Sequence, residues 1–273
     1  MSVSLASRTL SEQESRLLSS LSAAGYTVFT IEEARAVLDD PNVDLPKVLH
    51  RLHRKRWLKR LERGTYLIVP LEAGPEAQWA EHEYLIAAAL VEPYYLAYAT
   101  ALHYYGYTER APDPLIVATT RQKQPVTIEG LTYRFVTLVP HKFFGYEPIS
   151  LLGSEVQMAE REKAIADGFD HPELAGGVLE PAKGLWFGSD ELDWEKLVNT
   201  TLRLRNRVAA RRLGFWLELL GLGDETALSR LEDDSSHSYA RLEPAGPREG
   251  PRNARWRLII NVPERQLLEW RAH

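Results

Sequence analysis

The 273 residues, 44% apolar and 26% charged, are enough for one large domain or two ordinary ones around a real core. No run of about 18 apolar residues occurs, which excludes a helical membrane span; the lack of cysteine excludes disulfides, thiolate zinc sites and cysteine nucleophiles, and suits a reducing cytosol. A net charge of −5, taken alone, argues against a nucleic-acid partner. In chain order, Met1–Arg8 has no basic segment followed by an apolar stretch, so no secretory signal is expected. Leu17, Leu18, Leu21 and Ala24 recur at helical spacing within residues 10–24, and Gly25 ends that helix. Tyr26–Phe29 is β-branched and aromatic and reads as a short extended segment. Thr30 with Glu33 is a capping box that opens a second helix, Ile31–Leu38, and Asp39–Asn42 is a turn. Asp44 caps a third helix that tolerates Pro46 in its first turn. Leu58–Leu61 and Thr65–Val69 read as strands joined through Gly64, where a positive φ is needed.

Pro70–Pro75 reads as linker sequence, and an expected linker over residues 71–78 separates a first domain (1–70) from a second (79–273). In the second, Trp79–Leu90, Pro93–Tyr105, Val156–Asp167, Trp194–Leu204 and Val208–Leu220 read as helices. Leu115–Thr119, Val126–Ile128, Leu131–Val139 and Trp256–Val262 read as strands. Residues 223–254, rich in Asp, Ser, Pro and Gly, read as a mobile excursion. The expected class is α+β, with a winged helix-turn-helix followed by a mixed α/β domain.

The charge distribution reverses the first impression. Residues 1–70 carry eleven Lys/Arg against eight Asp/Glu, and from Lys47 to Arg63 a basic block faces one acid, Glu62. Leu45, Val48, Leu49 and Leu52 give the third helix an apolar face, leaving Lys47, His50, Arg51 and Arg54 on the opposite side. A recognition helix needs both: a buried face that makes it rigid and an outer face of cations and donors. Arg51 and Arg54 can fork onto guanine O6 and N7, Lys47 and His50 can reach phosphate or a base edge, and Lys59, Arg60 and Arg63 supply a wing. The competing reading is a solvated helix face followed by a surface hairpin. His50 and His53, three residues apart, are spaced to share a metal, but the surrounding cations repel one, so no metal is assigned.

Other signals are weaker. Tyr94, Tyr95, Tyr98, Tyr104, Tyr105 and Tyr107 suit helix packing better than a base-stacking platform. Glu155, Glu160, Glu162, Asp167 and Asp170 suggest either a metal-dependent nuclease or, preferably, an ordinary surface helix with i, i+4 pairs. Arg203, Arg205, Arg207, Arg211 and Arg212 form a second basic segment. It is either a face for an acidic partner or nucleic acid, or a solvated helix side. No phosphate loop, dinucleotide fingerprint or nucleophile elbow is present, so no catalytic residue or cofactor is assigned.

Several blocks occur in an order that resembles AbiEi-type antitoxins: Gly25-Tyr-Thr-Val-Phe-Thr-Ile-Glu-Glu-Ala, Leu49 to Trp57, Leu58-Lys-Arg-Leu-Glu-Arg-Gly-Thr-Tyr, Tyr95-Leu-Ala-Tyr-Ala-Thr-Ala-Leu-His-Tyr-Tyr-Gly, Ala159-Glu-Arg-Glu-Lys-Ala-Ile-Ala-Asp-Gly, His171-Pro-Glu-Leu-Ala-Gly-Gly and Arg211-Arg-Leu-Gly-Phe-Trp-Leu-Glu-Leu-Leu-Gly. The likeness runs from about residue 10 to residue 222. It implies a cytoplasmic type IV antitoxin that represses its own operon through inverted repeats and opposes a nucleotidyltransferase toxin through the C-terminal domain. The DNA-contacting role maps onto Lys47, His50, Arg51, Arg54, Lys59, Arg60 and Arg63. The alternatives are a plain repressor whose second domain senses a ligand or dimerises, and an enzyme acting on nucleic acid.

Overall fold

A computed structural model describes residues 9–71, 82–151, 154–232 and 238–272. The chain is mixed α+β and divides into two compact units after Leu90, later than the expected linker, most of which lies outside the described residues. Among the described residues no helix is long and apolar enough to cross a membrane.

The first unit is built from strong local signals. Helix α1 (Glu12–Ala23) starts with a capping box: Ser11 Oγ accepts from the Glu14 amide at 3.4 Å, and the Glu14 carboxylate accepts from the Ser11 amide at 2.7 Å. Strand β1 (Val28–Thr30) leads into α2 (Ile31–Leu38), whose Thr30–Glu33 capping box forms as expected. Asp44 caps α3 (Leu45–Arg54) through the Lys47 amide at 3.3 Å. Strands β2 (Leu58–Glu62) and β3 (Thr65–Ile68) form the hairpin, with Gly64 at φ +89° and a bulge between Arg60 and Glu62. The sheet order is β1-β3-β2, antiparallel throughout. Leu17, Leu18 and Leu21 of α1, Ala34 and Leu38 of α2, and Leu45, Val48, Leu49 and Leu52 of α3 close one core against Phe29, Trp57 and Leu58. Helix α4 (Glu83–Leu90) belongs to this unit; residues 79–81 of the expected longer helix lie outside the described residues.

The second unit is organised around a six-stranded mixed sheet and a buried helix. Its strands are β4 (Tyr94–Leu96), β5 (Leu115–Thr119), β6 (Val126–Ile128), β7 (Leu131–Thr137), β8 (Tyr146–Leu151) and β9 (Ser154–Ala159), in the order β6-β7-β5-β4-β9-β8. The β5–β7 and β4–β9 pairs are parallel. All five residues of β5 are buried: four are apolar, as a central strand favours, and Thr119 donates its hydroxyl to the Pro93 carbonyl at 2.6 Å. Helices α5 (Ala99–Tyr104), α6 (Arg161–Asp170), α7 (Pro172–Ala175), α8 (Leu179–Phe187), α9 (Trp194–Arg203) and α10 (Arg207–Leu220) follow. α6 packs against all five of the others.

Four sequence expectations need correction here. Pro93–Tyr105 is not one helix: Tyr94–Leu96 is recruited as β4 between β5 and β9, Tyr98 turns at φ +54°, and only then does α5 begin. Val156–Asp167 is likewise a strand and a helix, separated at Glu160. Val156 and Met158 point inward with the period of two that a strand imposes. Residues 223–254 are not a mobile excursion where described. Asp224 caps α11 (Glu225–Leu231), Leu228, Leu231 and Leu242 are buried, and β10 (Ala240–Arg241), β11 (Arg252–Asn253) and β12 (Leu258–Ile259) form a small sheet before α12 (Glu264–Leu268). The final strand is therefore shorter than Trp256–Val262; Trp256 is a buried loop residue beside it. Residues 233–237 lie outside the described residues.

Candidate nucleic-acid interface

The third helix presents what its periodicity promised. With Leu45, Val48, Leu49 and Leu52 inside, Lys47, His50 and Arg54 are exposed together along the opposite face. Lys47 pairs with Asp44 at 2.8 Å, and both are solvent-exposed, so the ammonium is free to trade that partner for a phosphate. Arg60 and Arg63 are exposed on the hairpin, and Arg60 Nε donates to the Glu62 carbonyl at 3.2 Å. Lys59 is half-buried, and burial pushes its pKa down. His53 is turned toward a backbone carbonyl, its Nδ1 3.0 Å from Leu58 O, so it ties the end of α3 to β2.

Arg51 differs from its neighbours. Its Nε donates to Glu14 Oε1 at 3.2 Å, and Lys55, one turn on, donates to Glu14 Oε2 at 2.6 Å. Glu14 is fully buried and comes from α1, so one carboxylate both caps its own helix and clamps α3. Sequence reasoning missed it, although Glu14 continues the buried stripe of Leu17, Leu18 and Leu21 and stands three residues after Ser11.

Burial is the largest single influence on the Glu14 carboxyl and raises its pKa. The bonds from Lys55 and Ser11, with the Lys55 charge, together outweigh it and hold the group below its ordinary 4.5. A carboxyl with a folded pKa below its unfolded one stabilises fully above the unfolded value and loses that contribution as pH falls through the folded one. Between about pH 5 and pH 3 the first unit is therefore expected to weaken, and Glu14→Gln to flatten that slope. Melting temperatures across the range check this; parallel slopes for the two proteins would refute it.

The second basic segment does not form one face. Arg203, Arg205 and Arg207 are exposed, with Arg203 stacked over Phe144 at 3.7 Å. Arg211 and Arg212 are buried. Arg212 donates to the carbonyls of Phe169, Arg241 and Leu242 at 2.9, 3.1 and 3.0 Å, and Arg211 donates to Ser238 O at 3.2 Å. They cannot contribute to a partner surface on an α10 packed this way.

The acidic residues around α6 are also not an ordinary surface row. Glu162, Asp167 and Asp170 are buried, and each is spent on a different partner. Glu162 binds Lys196 at 3.0 Å and the Asp193 amide at 3.0 Å. Asp170 binds Lys142 and Asn206, both at 2.6 Å. Asp167 binds Lys163, which also donates to Tyr95 Oη at 2.9 Å. Glu160 is half-buried and pairs with Lys196 at 3.3 Å, while Glu155 lies exposed on β9. Among the described residues no group of three or more His, Asp or Glu is arranged to hold a metal ion.

Five of the six tyrosines are buried or half-buried packing residues, Tyr94 and Tyr95 from a strand, whereas Tyr104 is exposed. Tyr95, Tyr98 and Tyr107 are buried, and Tyr105 Oη donates to Ala159 O at 2.8 Å. Burial pushes the phenol pKa of Tyr95 and of Tyr98 up, as does the charge of Asp167.

No family model matches the chain, and no curated protein does. Among solved structures it is similar to the RV2827C protein from Mycobacterium tuberculosis, with a TM-score of 0.69 and 18% identity over 98% of this chain and 97% of that one. That likeness is one of fold.

Proposed function

We propose that the first unit works as a winged helix-turn-helix on duplex DNA, with α3 in the major groove and the β2–β3 hairpin as the wing. The chain is then a transcriptional autorepressor and the antitoxin of a type IV system, opposing a nucleotidyltransferase toxin through its second unit. The observation that carries the DNA half is the exposed row Lys47, His50 and Arg54, backed by four buried apolar residues of the same helix and followed by Arg60 and Arg63 on the hairpin. The order α1-β1-α2-α3-β2-β3 and the sheet order β1-β3-β2 suit that reading. The antitoxin half rests on the resemblance of the sequence blocks. Two copies on an inverted repeat would match a symmetric operator.

If about six cations each neutralise a phosphate, log K falls against log salt with a slope near about −5. Lys47→Ala/His50→Ala/Arg54→Ala is expected to weaken binding roughly a hundredfold and to make the slope shallower by about 2, because two cations are lost. Fluorescence anisotropy on promoter DNA across a salt series measures both, and unchanged affinity and slope would end the DNA reading. Co-expression with a nucleotidyltransferase toxin tests the antitoxin half. Growth is expected to be rescued; intact DNA binding without rescue would leave a plain repressor.

A further inference from the structure

The Glu14–Arg51 bond assigns different work to two arginines that the sequence treats alike. Both Arg51 and Arg54 lie on the outer face of α3, yet only Arg51 is held by a buried group. The hold is on Nε. No bond from Nη1 or Nη2, the two nitrogens that can fork onto guanine O6 and N7, goes to Glu14, and 39% of the side chain is exposed. A loose arginine loses rotamer freedom when it docks; one already fixed at Nε has given up much of it during folding. Lys55, on the other oxygen of Glu14, offsets the carboxylate, so the cluster Glu14–Arg51–Lys55 keeps a net positive charge toward an approaching phosphate backbone. Among the described residues Lys47 and Arg54 have no such anchoring from the core: Lys47 pairs with exposed Asp44, and Arg54 is exposed.

We infer that Arg51 is the base reader of this interface, specific for a guanine, and that Glu14 is its positioning residue, whereas Lys47, Arg54 and the hairpin cations supply sequence-independent affinity. This rests on the DNA reading proposed above and goes beyond it by assigning specificity. In general terms, bidentate geometry discriminates bases while point charges on phosphates do not.

The test uses the full chain. A preferred duplex is selected from a randomised duplex library with the wild-type protein, and binding to it and to an unrelated duplex is measured across a salt series. Glu14→Gln keeps the size of the side chain and an acceptor for the Ser11 amide. It is expected to lose at least about tenfold on the selected duplex, to stay within about twofold on the unrelated one, and to keep the salt slope, since Arg51 stays charged. Arg51→Lys is the second variant, because it leaves Glu14 paired with Lys55 and keeps the charge but cannot fork. It should flatten discrimination at the same G·C pair, and the double variant should add little. Equal losses on both duplexes, or wild-type discrimination in both single variants, would overturn the assignment while leaving DNA binding in place. A wild-type protein that retains no duplex and shows no salt-dependent binding would instead overturn the proposed function, and this assignment with it.

Discussion

Replacing Lys163 with methionine is expected to cost the second unit roughly 3–5 kcal/mol, because it strips a buried carboxylate of its counter-ion. Lys163 is fully buried, donates to Asp167 and to Tyr95 Oη, and lies within 5.2 and 5.0 Å of the ring centres of Tyr95 and Phe144. Gly145 makes room for it: a side chain there would begin 3.2 Å from the Lys163 stem, at a backbone φ of +71°. Burial already raises the Asp167 carboxyl above its ordinary value even with Lys163 beside it, and it rises further without the ammonium. A carboxyl whose folded pKa exceeds its unfolded one penalises folding increasingly as pH rises above the unfolded value, fully once past the folded one, and not at all when protonated in both states. The deficit of Lys163→Met should therefore be greatest near neutral pH and shrink toward about pH 4. Five of the seven tryptophans lie beyond Leu90, so tryptophan fluorescence in a urea titration reports mainly on this unit. Lys163→Met/Asp167→Leu removes both charges and should recover at least about 2 kcal/mol of the loss. A double variant no better than the single one would mean that the aromatic packing around Lys163, not the paired charge, carries the stability.

The same cluster marks where the sequence stops being readable. In the first unit the signals are local. Two capping boxes, Asp44 ahead of Pro46, and Gly64 in a tight turn each fix the chain within a few residues, and the apolar stripe of α3 defines its outer face without reference to anything distant. In the second unit the decisive contacts are remote. Tyr94–Leu96 is a strand because β5 and β9 flank it, and a short aromatic run carries no sign of that. Arg161–Asp170 has the composition of a surface helix. It is buried because Lys142, Tyr95, Lys196 and Asn206 each arrive from another element to satisfy one of its acids. Glu14 is an intermediate case. Its capping role is written in Ser11-x-x-Glu14, but its hold on Arg51 and Lys55 spans 37 and 41 residues. The cationic outer face of α3 was thus readable, and the buried carboxylate that holds one of its arginines was not.

Arg212→Met is expected to cost at least about 3 kcal/mol, whereas Arg205→Ala, seven residues earlier, should stay within about 0.5 kcal/mol. The two belong to one basic run in the sequence, and the difference lies entirely in what each touches. Arg205 is exposed at the turn before α10. Arg212 is buried, and its Nε, Nη1 and Nη2 each donate to a separate backbone carbonyl: Leu242 and Arg241 from the C-terminal segment, and Phe169 from α6. Desolvation lowers its pKa to about 10 against the pull of Glu173, Glu243 and Asp170, so it stays charged near neutral pH and its bonds are charge-assisted. Methionine fills similar volume but takes the guanidinium donor from two buried acceptors, Leu242 O and Phe169 O, at about 1–3 kcal/mol each, and from the part-buried Arg241 O. Lysine restores the charge on a single nitrogen and cannot span all three carbonyls, so Arg212→Lys should recover only part of the loss. Because two of the acceptors belong to the segment that composition alone reads as mobile, the variant should also expose that segment to protease before the sheet unfolds. Limited proteolysis alongside urea denaturation separates the alternatives. Equal stability and equal cleavage for Arg212→Met and the wild type would show that the C-terminal segment is held by its apolar contacts at Leu242, Trp256 and Leu258, with the guanidinium bonds contributing nothing.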